Sequence, residues 1–143
     1  MSEVKYPLAV IAVFVWVGFV CAISFMEAWL KFRAPGINLP LGLGLGRLVF
    51  SALNKVEWIL AIAVVINYIF EGDRSFQWSY LLFTVAFLIL LIQTFYALPA
   101  LDARAEAHIK GGPVAASNLH FYYVVMEVIK VCCLIAFGIR LFK

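Results

Sequence analysis

Hydrophobic and polar positions sort the chain into four long apolar runs, Pro7–Phe32, Arg47–Phe70, Phe76–Leu98 and Ser117–Leu141. Each is long enough for a membrane-spanning helix, which needs about 20 predominantly apolar residues. Between them stand "RAPGINLPLGLGLG", "EGDRS" and "PALDARAEAHIKGGPVAAS", the glycine, proline and charge punctuation that ends helices and makes turns. The pattern predicts an all-α integral membrane protein, a four-helix bundle running up-down-up-down, as one domain over residues 1–143. Both termini and the tight Glu71–Ser75 turn then share one side, here the tail side. The two longer connections lie on the opposite, loop side.

Composition strengthens this reading. Of 143 residues 66% are hydrophobic and 13% charged, with a mean hydropathy of +1.03, whereas soluble domains are about half apolar and a quarter charged. Four spans use nearly the whole length, which leaves no room for a soluble catalytic domain. The apolar run after Lys5 continues to Met26 without a small-residue cleavage pattern, so a retained first helix is expected and not a removed signal. A net charge of +3 with scattered basic residues gives no nucleic-acid footprint. Cys21, Cys132 and Cys133 fall inside apolar runs with neither CxxC nor zinc-type spacing, which argues against a disulfide or redox role.

Orientation is left open by the charges. Lys5, Arg74, Arg140 and Lys143 lie at tail-side ends, and Lys31, Arg33, Arg47, Arg104 and Lys110 at loop-side ends, so the positive-inside rule leans only slightly to a cytoplasmic loop side. The two halves are faintly alike. "LVFSALNKVE" (Leu48–Glu57) and "LHFYYVVME" (Leu119–Glu127) share Leu-x-Phe and a later Glu, the mark of a parallel two-helix repeat about an axis along the membrane normal.

The second run raises the functional question, because its first eleven residues hold Arg47, Asn54, Lys55 and Glu57. Ionisable groups near the bilayer centre cost about 2.5–3.5 kcal/mol each on insertion scales. Once topology is assigned, all four spans are polar in the same half. Glu27 lies near the loop-side end of the first, Gln93 and Tyr96 near that end of the third, and His120 to Lys130 run from that end of the fourth towards its middle. The tail-side halves Ala9–Val20, Leu60–Ile66 and Leu81–Ile92 are almost purely apolar.

Helical geometry gathers these residues into stripes. His120, Tyr123, Glu127 and Lys130 fall within about 80° of one another, and Arg47, Ser51, Asn54 and Glu57 within about 120°. Ser24, Glu27 and Lys31 align on the first helix. Lipid cannot solvate such stripes, so they face inward. Glu57 and Glu127 each lie about ten residues, or roughly 15 Å, from their loop-side ends. Lys130 is the best-placed partner for either carboxylate, and Lys55 points away from Glu57. The expectation is a polar chamber in the loop-side half, lined by Glu27, Arg47, Asn54, Glu57, Gln93, His120, Tyr123, Glu127 and Lys130, over an apolar plug. The plainer alternative is that these groups are interhelical glue that fixes register.

Named chemistries fit poorly. "LGLGLGR" lacks the strand and the Gly-Lys-Ser/Thr ending of a phosphate loop and reads instead as small residues that permit close helix packing, with Gly42 and Gly46 spaced for it. Haem has two histidines to draw on, His108 and His120, neither paired at mid-depth. A di-metal site wants Glu-x-x-His pairs that do not occur, and a single metal on Glu57, His120 and Glu127 is the most that the ligands allow. "RAEAHIK" (Arg104–Lys110) reads as a solvated loop or an interfacial turn of helix. No metal and no cofactor is expected.

"KFRAPG" (Lys31–Gly36), "GLGRLVFSALNKVEW" (Gly44–Trp58) and "LHFYYVVMEVIK" (Leu119–Lys130) resemble stretches of small bacterial four-span membrane proteins of uncharacterised function. The resemblance implies a multi-pass protein of the bacterial inner membrane and carries no chemistry with it. The leading functional expectation is that the chamber binds or conducts a small polar ligand, an ion or a lipid head group. A second is an accessory or assembly subunit whose polar network is architectural, and a third is a membrane enzyme acting on a lipid-like substrate. Partners follow accordingly: the bilayer, a small ligand, and a second copy or larger complex joined through the helix-2 glycines or through aromatic faces of the last two helices.

Overall fold

The structure is a computed structural model that describes residues 4–71 and 77–142. Its four helices long and apolar enough to cross a membrane are α1 (Pro7–Arg33), α2 (Leu39–Glu71), α3 (77–109) and α4 (Leu119–Arg140). Within α3, Gln77–Ile92 is followed by a π-helical stretch, Gln93–Ala97, and then by Leu98–Ile109. There is no strand among the described residues. The expected turn at Glu71–Ser75, Arg74 and the helix start at Phe76 involve residues 72–76, outside those described.

The expected breaks were drawn too wide. α2 begins at Leu39 and not at Arg47, because Asn38 caps it: its side-chain oxygen accepts the Leu41 N–H at 2.9 Å and Pro40 occupies the first turn, where no N–H is missed. α3 continues through Pro99 to Ile109. The π stretch just before the proline changes the backbone register, one of the adjustments by which membrane helices absorb a proline. The helix stops instead at Gly111, whose φ of +74° closes a left-handed cap with N–H bonds from Gly111 to His108 O and from Gly112 to Ala107 O, both 3.1 Å. "RAEAHIK" is therefore helical.

α1 packs between α2 and α4, and α3 packs on α4; α2 meets α3 mainly over 98–109. The first turns of α1 and the end of α4 meet on the tail side, where the Phe14 and Phe142 rings lie 6.2 Å apart. On that side the core is apolar and aromatic, with Val13, Trp16, Phe83, Leu134 and Phe137 buried together. Outward faces carry Ile59, Phe70, Trp78 and Phe95, each more than 60% exposed. That is the inverse of a soluble surface and what hydrocarbon solvates.

Three glycines set helix separations. A Cβ at Gly138 of α4 would lie 2.9 Å from Phe14 Cζ and 3.2 Å from Val13 Cγ1 of α1. A Cβ at Gly42 would strike the Phe32 ring, and one at Gly46 would lie 3.2 Å from Lys31 Nζ. The Gly42/Gly46 spacing thus serves α1–α2 packing inside one chain. Replacing Gly138 by Leu forces α1 and α4 apart and should cost about 1–3 kcal/mol, read as a lowered thermal midpoint in detergent. Gly18→Ala, with nothing within 4 Å of its added methyl, should leave the midpoint unchanged.

Candidate functional site: a cavity above a buried charge network

The inward stripes meet in two layers. The deeper layer is a sealed network centred on Lys130, which is 0% exposed. Its ammonium bonds Glu57 of α2, Glu127 Oε1 one turn back on α4 at 2.6 Å and Gln93 Oε1 of α3 at 2.7 Å. Three N–H donors find three acceptors. Gln93 Nε2 in turn donates to Glu127 Oε1 at 2.6 Å, and the Ser24 hydroxyl of α1 donates to Glu127 Oε2 at 2.6 Å. The Trp16 indole N–H donates to Glu57 Oε2 at 2.7 Å. Each of the four helices contributes.

Local backbone geometry delivers two of these donors. Ser24 sits in the π-helical stretch Cys21–Glu27 of α1 and Gln93 opens the π-helical stretch Gln93–Ala97 of α3. Such wide turns shift register and recur at functional positions. In α1 the shift turns Ser24 inward, while Glu27 stands apart from the network and pairs with Lys31 at 3.4 Å. Tyr96, in the α3 stretch, points outward and is 70% exposed.

Above this layer lies a cavity of about 710 Å³, walled by α1, α2, α3 and the start of α4, a size suited to a small organic molecule or part of a lipid. Its walls are mostly apolar, with Phe32, Leu43, Phe50, Leu98 and Leu101 among them. At the rim, Arg47 grips Asp102 through two parallel bonds, Nε–Oδ1 at 2.5 Å and Nη2–Oδ2 at 3.0 Å, the fork geometry that holds a guanidinium in place. Glu106, 3.9 Å from Arg47, is also held by Lys110 at 2.9 Å. His120 and Lys31 complete the rim. At the floor are Ser51, Asn54, Thr94 and Tyr123. Thr94 Oγ1 accepts from Asn54 Nδ2 and Trp58 Nε1, both at 2.9 Å, and donates to Leu90 O at 2.7 Å.

The nine residues expected to share one chamber are thereby divided. Arg47, Asn54, His120 and Tyr123 line the cavity; Glu57, Gln93, Glu127 and Lys130 form the sealed network; Glu27 belongs to neither. Tyr123 joins the layers, since it lines the cavity, is 3% exposed and feels the charges of both Glu57 and Glu127. Sequence reasoning passed over Trp16, inside a segment read as purely apolar, and Asp102, placed in a loop. The tryptophan's donor N–H and the acid one helical repeat from Glu106 were the signals available. No group of three or more metal-binding side chains converges among the described residues.

Removing the hub should expose how much rests on it. Lys130→Met strands two buried carboxyls, so a loss of about 3–5 kcal/mol is expected, measured as a fall in thermal midpoint in detergent; adding Glu57→Gln should recover part of it. Comparison of the chain with known protein families, curated proteins and solved structures gives no match.

Proposed function

We propose that this is a ligand-binding protein of the bacterial inner membrane, the setting its sequence resemblance implies, and that the loop-side cavity holds an amphipathic, lipid-like molecule. The observation that carries the reading is the cavity's chemistry: an apolar wall of lipid-fitting size with polar groups confined to rim and floor. A small ion is poorly served, because the fixed charges at hand are already spent on one another, Arg47 on Asp102 and Lys31 on Glu27. For the same reason the head group has no need of net negative charge. Ser51, Asn54 and Tyr123 suit a neutral or zwitterionic head that forms hydrogen bonds, and Phe32, Leu43 and Leu98 suit hydrocarbon.

The halves α1–α2 and α3–α4 support a duplicated unit in this reading. Each couples a helix bearing a π-helical stretch to a helix bearing a mid-span glutamate. The complete bonding of Lys130 favours a second reading, a scaffold subunit whose network only fixes register, and one experiment separates the two. Delipidated protein is mixed with phosphatidylethanolamine or phosphatidylglycerol and bound lipid is counted by native mass spectrometry. Phosphatidylethanolamine should bind at least as well as phosphatidylglycerol. Asn54→Leu and Leu98→Trp should each weaken retention about tenfold, the worth of one or two hydrogen bonds or of a filled cavity. Retention that neither substitution alters would overturn the ligand reading in favour of the scaffold.

A further inference from the structure

The deeper layer carries an imbalance that the cavity reading does not use. Two carboxyl groups, Glu57 and Glu127, share one ammonium, and all three side chains are at most 1% exposed. Every element packed against them can be checked for a second cation. α1 presents Trp16 and Ser24, α2 presents Glu57, α3 presents Gln93, and α4 presents Tyr123, Glu127 and Lys130. None of these adds positive charge beyond Lys130. Of the other cations in this half, Lys31 and Arg47 are held by Glu27 and Asp102, Lys110 by Glu106, Arg104 bonds Ala115 O, and Arg33 and Lys55 are exposed, away from the buried layer. With both glutamates ionised the layer would hold a net negative charge amid apolar helix walls, where no counter-ion is at hand.

We infer that the Glu57–Lys130–Glu127 cluster is a proton-binding site that holds one exchangeable proton on its carboxyl pair, taken up from the cavity side. Addition of that proton brings the layer from net −1 to neutral. The donors point to where it resides. Glu127 receives bonds on both oxygens, from Ser24 on Oε2 and from Gln93 and Lys130 on Oε1, so both are already engaged as acceptors. The Trp16 and Lys130 donors to Glu57 both reach Oε2, so Glu57 Oε1 is the oxygen that carries the proton.

Access is one-sided. Towards the tail side the network is backed by Trp16, Phe83, Leu134 and Phe137 in the aromatic core. Towards the loop side Tyr123, one helical turn from Glu127 and buried, lines the floor of the cavity, and a phenol hydroxyl can both accept and donate a proton. This inference does not depend on what the cavity binds, and its test needs no ligand.

The test is infrared spectroscopy of the purified full chain in detergent at neutral pH, reading the carbonyl stretch of protonated carboxylic acids. The wild-type protein should show one such buried band. Glu57→Gln and Glu127→Gln should each abolish it, because one carboxylate against Lys130 is already balanced; both variants keep the side-chain shape and should fold. Tyr123→Phe should keep the band and slow its shift in deuterated buffer at least tenfold. Absence of the band in the wild type, or its survival in either glutamine variant, would overturn the site. An unchanged exchange rate in Tyr123→Phe would overturn the route.

Discussion

The three N–H bonds of the Lys130 ammonium end on Glu57, Gln93 and Glu127, side chains of three different helices, and that satisfaction is the constraint around which the bundle is arranged. An ammonium in hydrocarbon is tolerable only when each of its donors is met. To meet them, α2, α3 and α4 must stand at one depth and one rotation. Trp16 and Ser24 then lock α1 to the same level by donating to the two carboxylates. Apolar packing between lipid-facing helices carries little such information, because a leucine face is as well solvated by lipid tails as by another helix. Polar register is what makes one arrangement of four greasy helices better than its neighbours.

The backbone bends to that requirement. Both π-helical stretches, Cys21–Glu27 and Gln93–Ala97, occur where a donor must reach Glu127. The second also lets α3 pass Pro99 and continue to Asp102, which anchors Arg47 of α2. One departure from regular geometry thus places a network residue and, two turns later, a rim residue. Between those two polar ties, helices α2 and α3 are held apart by the cavity, and Gly42 and Gly46 let Phe32 and Lys31 of α1 close against α2 along its outer wall. The result is a layered half-bundle: ion-paired rim, apolar chamber, hydrogen-bonded floor, sealed charge.

Much of this could be read from residue order alone. Four apolar runs gave four helices, and the 3.6-residue period put Tyr123, Glu127 and Lys130 on one face and Arg47, Asn54 and Glu57 on another, as they stand in the structure. Membrane helices are favourable cases for such reading, because each satisfies its own backbone and the cost of a misplaced charge is large. Boundaries were less legible. The loop-side extensions of α2 and α3 are amphipathic or glycine-rich and lie beyond the purely apolar runs, so hydropathy missed them, although Asn38-Leu39-Pro40 spelled a helix start and Gly111-Gly112 a helix stop.

What residue order determined, then, is that costly side chains exist, that they share one half of the protein, and that they face inward, since periodicity and burial cost depend only on local spacing and on the surrounding lipid. Tertiary structure decided how they are shared out. Helical spacing is blind to π-helical register shifts, and it cannot say that Glu27 would be turned away from the network while Ser24 replaces it, or that Trp16 would bring a donor from an apolar stretch. Nor can it separate a filled layer from an open one. Whether two inward stripes touch or leave a chamber depends on the distance between helix axes, and that distance is set by partners such as Gly138 with Phe14 and Arg47 with Asp102, which are far apart in the chain and meet only once it is folded.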